Sequence, residues 1–321
     1  MRDVVRFGGR SRPVTVVDHV TIEIRGGEIF GLLGPNGAGK TTIFKMLSTM
    51  IAPDRGSARV AGFDVVREAE AVRALLANVP ADDRSLNWRL SAYENLRLFA
   101  ALQQVPRMAL EGRIRRVLRT VSLEDARGVR VAEFSSGMKQ RLLIARALLT
   151  EPEILLLDEP TRTLDPLSAR ELRRFLREEL VGAHGCTILL ATHNADEAFG
   201  FCDRVAVLHR GRVLATGPAA ELATRFGEDR YRIVTSGSGH VALAALERGG
   251  LLVRAKAAEP TREGWDTTEC VISGGPSRSA SVLAALVDRG VGVARLERIE
   301  PSLADLISRI IGADAGDGRD A

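Results

Sequence analysis

The stretch Gly34-Pro35-Asn36-Gly37-Ala38-Gly39-Lys40-Thr41-Thr42 fits G-x-x-x-x-G-K-[ST], a pattern typical of loops that bind phosphate groups. An apolar run from Glu28 to Leu33 precedes it and predicts a buried strand, and residues 41–51 follow with helical spacing. Glycines in such a loop let backbone N–H groups point at phosphate oxygens, and the helix start adds its positive dipole end. A chance glycine-rich turn is a poor alternative because strand and helix flank the loop in this order.

Two side chains of this loop have predicted chemical roles. Lys40 is expected to reach the β- and γ-phosphates of a nucleotide, and the Thr41 hydroxyl is expected to hold Mg²⁺. The loop around the phosphates is completed by Gly34, Pro35, Asn36, Gly37, Ala38, Gly39 and Thr42.

A second motif, Ile154-Leu155-Leu156-Leu157-Asp158-Glu159-Pro160, combines an apolar strand with two acids. Such a strand delivers its acids to the carboxyl edge of the sheet, where ligands bind in open α/β sheets. Asp158 is then expected to hold Mg²⁺, directly or through water, and Glu159 to orient and deprotonate the attacking water as general base. An acid pair that merely opens a helix is the alternative.

The composition limits the classes of function. The chain has 321 residues, enough for two domains, and 45% hydrophobic but only 4% aromatic residues predict an aliphatic core. The net charge of +4 comes without a concentrated basic block, so no nucleic-acid partner is expected. The three cysteines lack metal-binding spacing. Without a recognisable signal peptide or an apolar run of about 18 residues, a cytoplasmic location is expected.

The first 220 residues alternate between strand and helix patterns, which predicts an α/β fold with a mostly parallel, helix-covered sheet. Continuous apolar runs predict strands at 154–157 and 187–191, and a hairpin is predicted around Arg210-Gly211. Residues from about 73 to 150 show a helical pattern without a clear strand. This range is therefore predicted to be a helical subdomain.

A different pattern occupies residues 221–312. Strands and helices are predicted there in the order β-α-β-β-α-β, which is compatible with a small α+β, ferredoxin-like domain. A last helix is predicted for residues 302–311, and residues 313–321 are expected to form a flexible tail. The chain is thus predicted to consist of a nucleotide-binding domain at 1–220 and an accessory domain at 221–312.

Between the two phosphate-related motifs lies Phe134-Ser135-Ser136-Gly137-Met138-Lys139-Gln140-Arg141. Either Ser135 or Ser136 can cap the helix that follows, and Gly137 keeps its first turn open. By itself this stretch is an ordinary helix start. Its position just before the acidic motif makes it far more specific.

With its motifs in this order, the chain resembles the ATP-binding subunits of ABC transporters. The phosphate-binding loop matches the family's Walker A motif, residues 154–159 match Walker B, and residues 134–138 are similar to the Leu-Ser-Gly-Gly-Gln signature. Thr163-Leu164-Asp165 resembles the D-loop, and Thr192-His193 resembles the switch histidine. Order and spacing agree over about residues 5–220, so the set is much more specific than a lone phosphate-binding loop.

The resemblance implies a P-loop NTPase fold of the ABC cassette type that binds ATP and Mg²⁺ and hydrolyses ATP. It also implies a head-to-tail homodimer, in which ATP on the Walker A motif of one subunit meets Ser135 and Gly137 of the other. His193 is expected to sense the γ-phosphate, and Asp165 is expected to contribute to the nucleotide site. Phe7 is expected to stack on the adenine, with a plain loop aromatic as the alternative.

The chain departs from the family pattern in the loop 79–86. Family members usually carry there a glutamine that contacts Mg²⁺ and the attacking water, and this loop has none. Asp82 or Asp83 is expected to substitute, facing Mg²⁺ through water; the alternative is a solvated pair of loop acids. Ser136 and Met138 also replace a glycine and a glutamine of the signature, a variation compatible with an active ATPase.

One branch of the family is favoured by the end of the chain. Glu300-Pro301-Ser302-Leu303-Ala304-Asp305-Leu306 resembles an element that closes drug- and antibiotic-resistance-type export ATPases, and residues 84–90 are similar to that branch as well. The resemblance implies an exporter subunit coupled to a separate polytopic membrane protein of the ABC-2 type, peripheral on the inner face of the cell membrane. Trp88 is expected to contact that partner, with core packing as the alternative.

Two other classes of function are alternatives. A soluble ABC ATPase acting on ribosomes or nucleic acid would be expected to carry a second cassette, long coiled coils or zinc sites, and the sequence shows none of these patterns. An ATP-dependent regulatory module would sense a small molecule through the C-terminal domain.

Overall fold

A computed structural model describes residues 14–226, 230–236, 239–256, 264–272 and 275–299, together with residues 305, 307, 309 and 310. The chain divides into two compact units, one of Met1–His193 with Arg204–Thr216 and one of Asn194–Asp203 with Gly217–Ala321. The domain boundaries given above stay predictions. In the described ranges no helix is both long and apolar enough to cross a membrane.

The first unit is organised around a six-stranded sheet. The strands that begin in it are β1 (Ile29–Leu33), β2 (Arg59–Val60), β3 (Phe63–Asp64), β4 (Leu76–Val79), β5 (Ile154–Asp158), β6 (Thr187–Thr192), β7 (Arg204–His209) and β8 (Arg212–Pro218). The sheet order is β4-β5-β6-β1-β7-β8, while β2 and β3 form a separate antiparallel pair. Neighbouring strands from β4 to β7 are parallel, as the alternating strand and helix patterns predict.

Burial accounts for the continuous apolar runs of this sheet. Every residue of β1 is buried, and so are the three central leucines of β5, as expected for parallel strands covered on both faces. The predicted strands at the phosphate-binding loop, at 154–157 and at 187–191 are confirmed. Arg210 and Gly211 have φ of 48° and 81°, the left-handed pair that a two-residue hairpin turn requires, so the hairpin is confirmed too.

Helices cover this sheet and form the region that follows β4. They are α1 (Lys40–Leu47), α2 (Ala69–Leu75), α3 (Ala92–Leu102), α4 (Arg107–Thr120), α5 (Ser136–Leu148) and α6 (Pro166–Phe175), which continues as a π-helix over Leu176–Ala183. A capping box between Ser91 and Glu94 starts α3. The main core cluster joins Phe30 and Leu32 of β1, Phe44 of α1 and Leu156 of β5.

Residues 73–150, predicted to be helical without a clear strand, do contain one strand, because β4 lies within this range. The strand has only four residues, Leu-Ala-Asn-Val, and it follows α2 without a glycine or proline between them. Its backbone pairs with β5 in the register Leu76 to Ile154, and Val79 is 1% exposed. Pairing with β5 decides the conformation here, since alanine and asparagine do not favour strands by themselves.

The second unit contains a small α+β fold. Its elements are α7 (Ala195–Phe201), α8 (Ala219–Phe226), β9 (Arg230–Ser236), α9 (Gly239–Arg248), β10 (Arg254–Lys256), β11 (Trp265–Val271), α10 (Gly275–Val287) and β12 (Val293–Ile299). Strands β9 to β12 form an antiparallel sheet in the order β10-β11-β9-β12. Leu243 of α9 and Val282 of α10 share a core with Ile233 of β9.

The β-α-β-β-α-β order predicted for this unit is confirmed. Because β11 lies between β9 and β10, and β9 lies between β11 and β12, the two β-α-β units interleave in the ferredoxin-like manner. The predicted tail at 313–321 lies outside the described residues, and so does most of the predicted last helix at 302–311.

Candidate functional site

The phosphate-binding loop runs from the end of β1 to the start of α1 and needs glycine at three positions. Gly37 and Gly39 have φ of 79° and 108°, in the left-handed region that side chains disfavour. A Cβ on Gly34 would lie 2.4 Å from the carbonyl oxygen of Leu208, so no side chain fits at this position. The loop is therefore held close to β7 with its backbone exposed towards the cavity.

Lys40 places a buried cation at this loop. Its Nζ donates to the carbonyl oxygens of Gly34 at 2.6 Å and Pro35 at 3.2 Å, and it lies 3.8 Å from Oε1 of Glu159. Burial lowers the pKa of Lys40, while the nearby Glu159 and Asp158 carboxylates act in the opposite direction. Phosphate oxygens can replace the two carbonyls as hydrogen-bond acceptors, which suits the role predicted for this lysine.

The acid pair follows the end of β5, as predicted. Asp158 accepts a hydrogen bond from the Thr41 hydroxyl, and burial, followed by the charge of Glu159, raises the pKa of Asp158. Glu159 is 8% exposed and has φ of 49°, which is unusual for a residue with a side chain. Strained backbone of this kind is found where function requires a particular side-chain direction.

His193 meets Glu159 because of the β5–β6 register. Asp158 pairs with Ala191, and the N–H of Glu159 donates to the Ala191 carbonyl at 2.8 Å. The Nδ1 of His193 then contacts Oε2 of Glu159. In addition, the N–H of Gly34 donates to the Thr192 carbonyl at 3.1 Å, so β6 ties the loop and the acid pair together.

The loop from Pro35 to Thr42 and the acid pair line a cavity of about 230 Å³, and Gly34 and His193 are not among its lining residues. The cavity is lined by Val16, Pro35, Asn36, Gly37, Ala38, Gly39, Lys40, Thr41, Thr42, Ala81, Asp158, Glu159 and Arg162. The hydroxyl of Thr41 and the carboxylate of Asp158 are hard oxygen ligands of the kind that Mg²⁺ takes in nucleotide sites. With a buried lysine and a helix N-terminus beside them, the residues present fit a magnesium–nucleotide complex.

Three lining residues were not identified from the sequence. Val16 reaches the cavity from the segment before β1, and Ala81 reaches it from the loop after β4. Arg162 lies three residues after Glu159 and belongs to none of the motifs that the sequence indicates. A local pattern gives no signal for them, because the positions of Val16 and Ala81 depend on long-range contacts and that of Arg162 depends on the geometry of the turn after Glu159.

Ser135, Gly137 and Asp165 do not line this cavity. Ser135 caps α5 and accepts a hydrogen bond from the N–H of Met138 at 3.2 Å, so of the two candidate serines it is the one that caps. Asp165 caps α6 through its contacts with the N–H groups of Leu167 and Ser168. The single chain thus does not bring the signature and D-loop residues to the phosphate-binding loop.

The structure also leaves Asp82 outside the predicted magnesium site. Its Oδ1 accepts from the N–H of Arg84 at 3.2 Å, its side chain is 50% exposed, and Ala81 lines the cavity in its place. The loop turns so that Asp82 faces the neighbouring arginine rather than Thr41. Phe7, the predicted adenine-stacking residue, lies outside the described residues.

Comparison with known proteins agrees with the site. The family model described as ABC transporter matches residues 17–162. The chain is 35% identical over 311 residues to the daunorubicin resistance ATP-binding protein DrrA3 of Streptomyces coeruleorubidus, covering 96% of this chain and 94% of that protein. It is 44% identical over 211 residues to a Nod factor export ATP-binding protein I of Neorhizobium galegae, covering 66% of this chain and 60% of that protein.

Solved structures give the same result. A dimeric ATP-binding cassette in a post-hydrolysis state, bound to ADP and Pi, is 25% identical with a TM-score of 0.56 and covers 64% of this chain and 91% of its own.

Proposed function

The chain belongs to the ABC transporter family as an exporter-type ATP-binding subunit that hydrolyses ATP, and we propose that it drives a separate polytopic membrane subunit of the ABC-2 kind. The observation that carries this proposal is that Lys40 and Glu159 line one cavity while His193 contacts Glu159, on a chain similar over nearly its whole length to a resistance ATP-binding protein. The name of the other relative, a Nod factor export ATP-binding protein, supports export as the direction of transport.

In the proposed site each side chain has one task. Lys40 and the glycine-rich loop would bind the β- and γ-phosphates, and Thr41 and Asp158 would hold Mg²⁺, which would supply charge neutralisation for the phosphates. Glu159 orients the attacking water and accepts its proton as general base. His193 contacts the same carboxylate, so it fixes the direction of Glu159. We assign to it the response to the γ-phosphate.

We place the second half of each site on another copy of the chain. The N-terminus of α5, capped by Ser135, does not line the cavity of its own chain, and a helix N-terminus is suited to bind phosphate. A head-to-tail dimer brings this helix, with Gly137 and the neighbouring Asp165, to the cavity of the partner. ATP held from both sides then stabilises the closed dimer, and hydrolysis releases it.

The region of α3 and α4 is the proposed contact with the membrane subunit. Trp88 is 59% exposed, with the Arg89 guanidinium 4.7 Å from its ring, so its side chain is not packed in the core. Leu102 and Met108 nearby in the chain are 69% and 99% exposed. Exposed apolar residues of this kind suit a protein partner, and binding there would hold the chain on the inner face of the membrane.

Trapping the ATP-bound state tests this proposal. A tagged Glu159→Gln chain is expressed and recovered from solubilised membranes with Mg²⁺ and ATP, with the exposed-site variant Glu178→Gln as control. We expect a polytopic membrane protein to copurify with Glu159→Gln in an ATP-dependent way and less with the control. Recovery with ribosomes or nucleic acid, and without a membrane protein, would contradict the exporter and favour a soluble ABC ATPase.

A further inference from the structure

Arg162 brings a second cation to the phosphate cavity. It lies in the turn between β5 and α6, and its backbone N–H donates to the Glu159 carbonyl at 3.2 Å. This hydrogen bond closes a turn directly after the acid pair and keeps the arginine beside it. Arg162 is one of the residues that line the cavity, and it is exposed.

The guanidinium of Arg162 is available for a ligand. Among the described residues it has no carboxylate within salt-bridge distance, and its charge partly offsets the rise that burial causes in the pKa of Asp158. Two carboxylates and two cations, Lys40 and Arg162, therefore face the same cavity. A polyphosphate that enters adds negative charge, which a second cation stabilises.

We propose that Arg162 is a phosphate-binding residue that contacts the γ-phosphate of ATP. The inference rests on the proposed phosphate site. Glu159 must face the terminal phosphate if it activates the attacking water, and Arg162 follows Glu159 in one tight turn. Guanidinium groups bind phosphate oxygens through paired, charge-assisted hydrogen bonds, which a lysine reproduces only in part.

This role predicts that substitution of Arg162 weakens the binding of a nucleoside triphosphate more than the binding of a diphosphate. Binding of fluorescently labelled adenylyl imidodiphosphate and of labelled ADP is measured with Mg²⁺ for the wild-type chain, Arg162→Ala and Arg162→Lys. We expect Arg162→Ala to weaken binding of the triphosphate analogue about tenfold and Arg162→Lys to weaken it less, since one charge-assisted contact is lost or reduced. Binding of ADP is expected to remain within about twofold, because ADP lacks the contacted phosphate.

The matched control is Arg170→Ala. Arg170 is exposed on α6, does not line the cavity, and its removal changes the net charge equally. Wild-type triphosphate affinity in Arg162→Ala, or an equal loss for ADP, or an equal loss in Arg170→Ala, overturns the proposal. Thermal unfolding of each variant checks the fold, and Arg162→Lys keeps the test valid if the alanine variant is unstable.

Lys40→Ala separates this inference from the phosphate site itself. This variant is expected to lose binding of both the triphosphate analogue and ADP, because the β-phosphate that Lys40 is proposed to contact is present in both. If Lys40→Ala binds both nucleotides like the wild-type chain, the proposed location of the phosphate site is wrong. The role proposed for Arg162 is then rejected as well. If Lys40→Ala loses binding and Arg162→Ala does not, only the role of Arg162 is rejected.

Discussion

The Nζ of Lys139 lies 3.0 Å from Oδ2 of Asp83, and this ion pair joins the loop after β4 to α5. A second contact runs parallel to it, from the guanidinium of Arg146 to the Ser85 hydroxyl at 2.6 Å. Ala81 at the start of the same loop lines the phosphate cavity. The loop therefore connects the cavity to the helix that carries the signature motif, and Asp83 makes its contact with Lys139 of that helix.

The first prediction concerns this ion pair. We expect Asp83→Ala and Lys139→Ala to lower ATP turnover by similar factors, about two- to fivefold, since partly exposed ion pairs contribute little each. The reversed pair, Asp83→Lys with Lys139→Asp, is expected to restore most of the activity. Steady-state phosphate release at saturating Mg²⁺ and ATP measures the effect.

Asp82 supplies the control for that experiment. Its 3.7 Å ion pair with Arg84 lies within the loop and does not reach α5. Asp82→Ala is therefore expected to leave turnover unchanged. Lower ATP turnover in Asp82→Ala, or a reversed pair as inactive as Asp83→Ala, would contradict this prediction. Either result would favour the alternative in which an acid of this loop faces Mg²⁺.

A second prediction concerns the approach of the phosphate-binding loop to β7. Gly34→Ala places a Cβ against the Leu208 carbonyl, and because backbone cannot move aside we expect a loss of about 1–3 kcal/mol in unfolding free energy. ATP binding should weaken in parallel, since the loop must shift. Gly26→Ala, where a Cβ meets no atom within 4 Å, is the control and should change neither quantity.

The third prediction exploits the buried acid of β5. Burial raises the pKa of Asp158, so its ionised form destabilises the nucleotide-free chain. Asp158→Asn is expected to raise the melting temperature at neutral pH without Mg²⁺ by roughly 2–4 °C, the change that about 1 kcal/mol produces in a protein of this size. The same variant should lose most of the stabilisation that Mg²⁺ and ATP give the wild-type chain.

The pH dependence of this variant has a defined sign. Between the ordinary pKa of 3.8 and the raised pKa, the folded chain binds more protons at Asp158 than the unfolded chain, so wild-type stability falls as pH rises. The advantage of Asp158→Asn must therefore be at least as large at pH 8 as at pH 5. An advantage that shrinks with rising pH would show that burial does not control this carboxyl.

The fourth prediction concerns two neighbouring residues at the end of β9. The Thr235 hydroxyl is fully buried and has no hydrogen-bond partner in the described ranges, whereas the Ser236 hydroxyl accepts from the N–H of Gly292 at 2.9 Å. We expect Thr235→Val to stabilise the second unit by about 1 kcal/mol and Ser236→Ala to destabilise it by a similar amount.

Tryptophan fluorescence can assign these effects to the second unit. The chain has two tryptophans, so Trp88→Phe leaves Trp265 of β11 as the single probe. Denaturant unfolding followed through Trp265 should show opposite shifts of the midpoint for the two variants. Shifts of the same sign would mean that the Thr235 hydroxyl finds a partner in solution.

The sequence predicts this fold best where burial is complete. Strands β1, β5 and β6 are continuous apolar runs because both faces of the sheet are covered, and such runs are easy to recognise. Strand β4 escapes recognition because it is short, lies at an edge of the sheet and contains Asn78. Its pairing partner is 78 positions away, from Leu76 to Ile154, and a local pattern does not contain this information.

The candidate site, like the fold, could be predicted only in part from the sequence. Lys40 and Asp158 could be predicted to share an edge of the sheet, since each belongs to a motif at the carboxyl end of a strand. The left-handed backbone of Glu159 and the presence of Arg162 in the cavity depend on a turn whose geometry the motif does not specify. The place of Ala81 depends on contacts of its loop with α5, which arise only in the folded chain.

The sheet order also has a consequence for synthesis. Strand β1 lies between β6 and β7, so both of its hydrogen-bonding partners emerge from the ribosome long after it does. At about 5–20 residues per second, the phosphate-binding loop waits roughly 10–35 s before β7 is complete. During that time the apolar strand has neither neighbour to pair with, so the nascent chain exposes apolar surface of the kind that chaperones bind. We expect nucleotide binding only after β7, the last of the parallel strands, has been made.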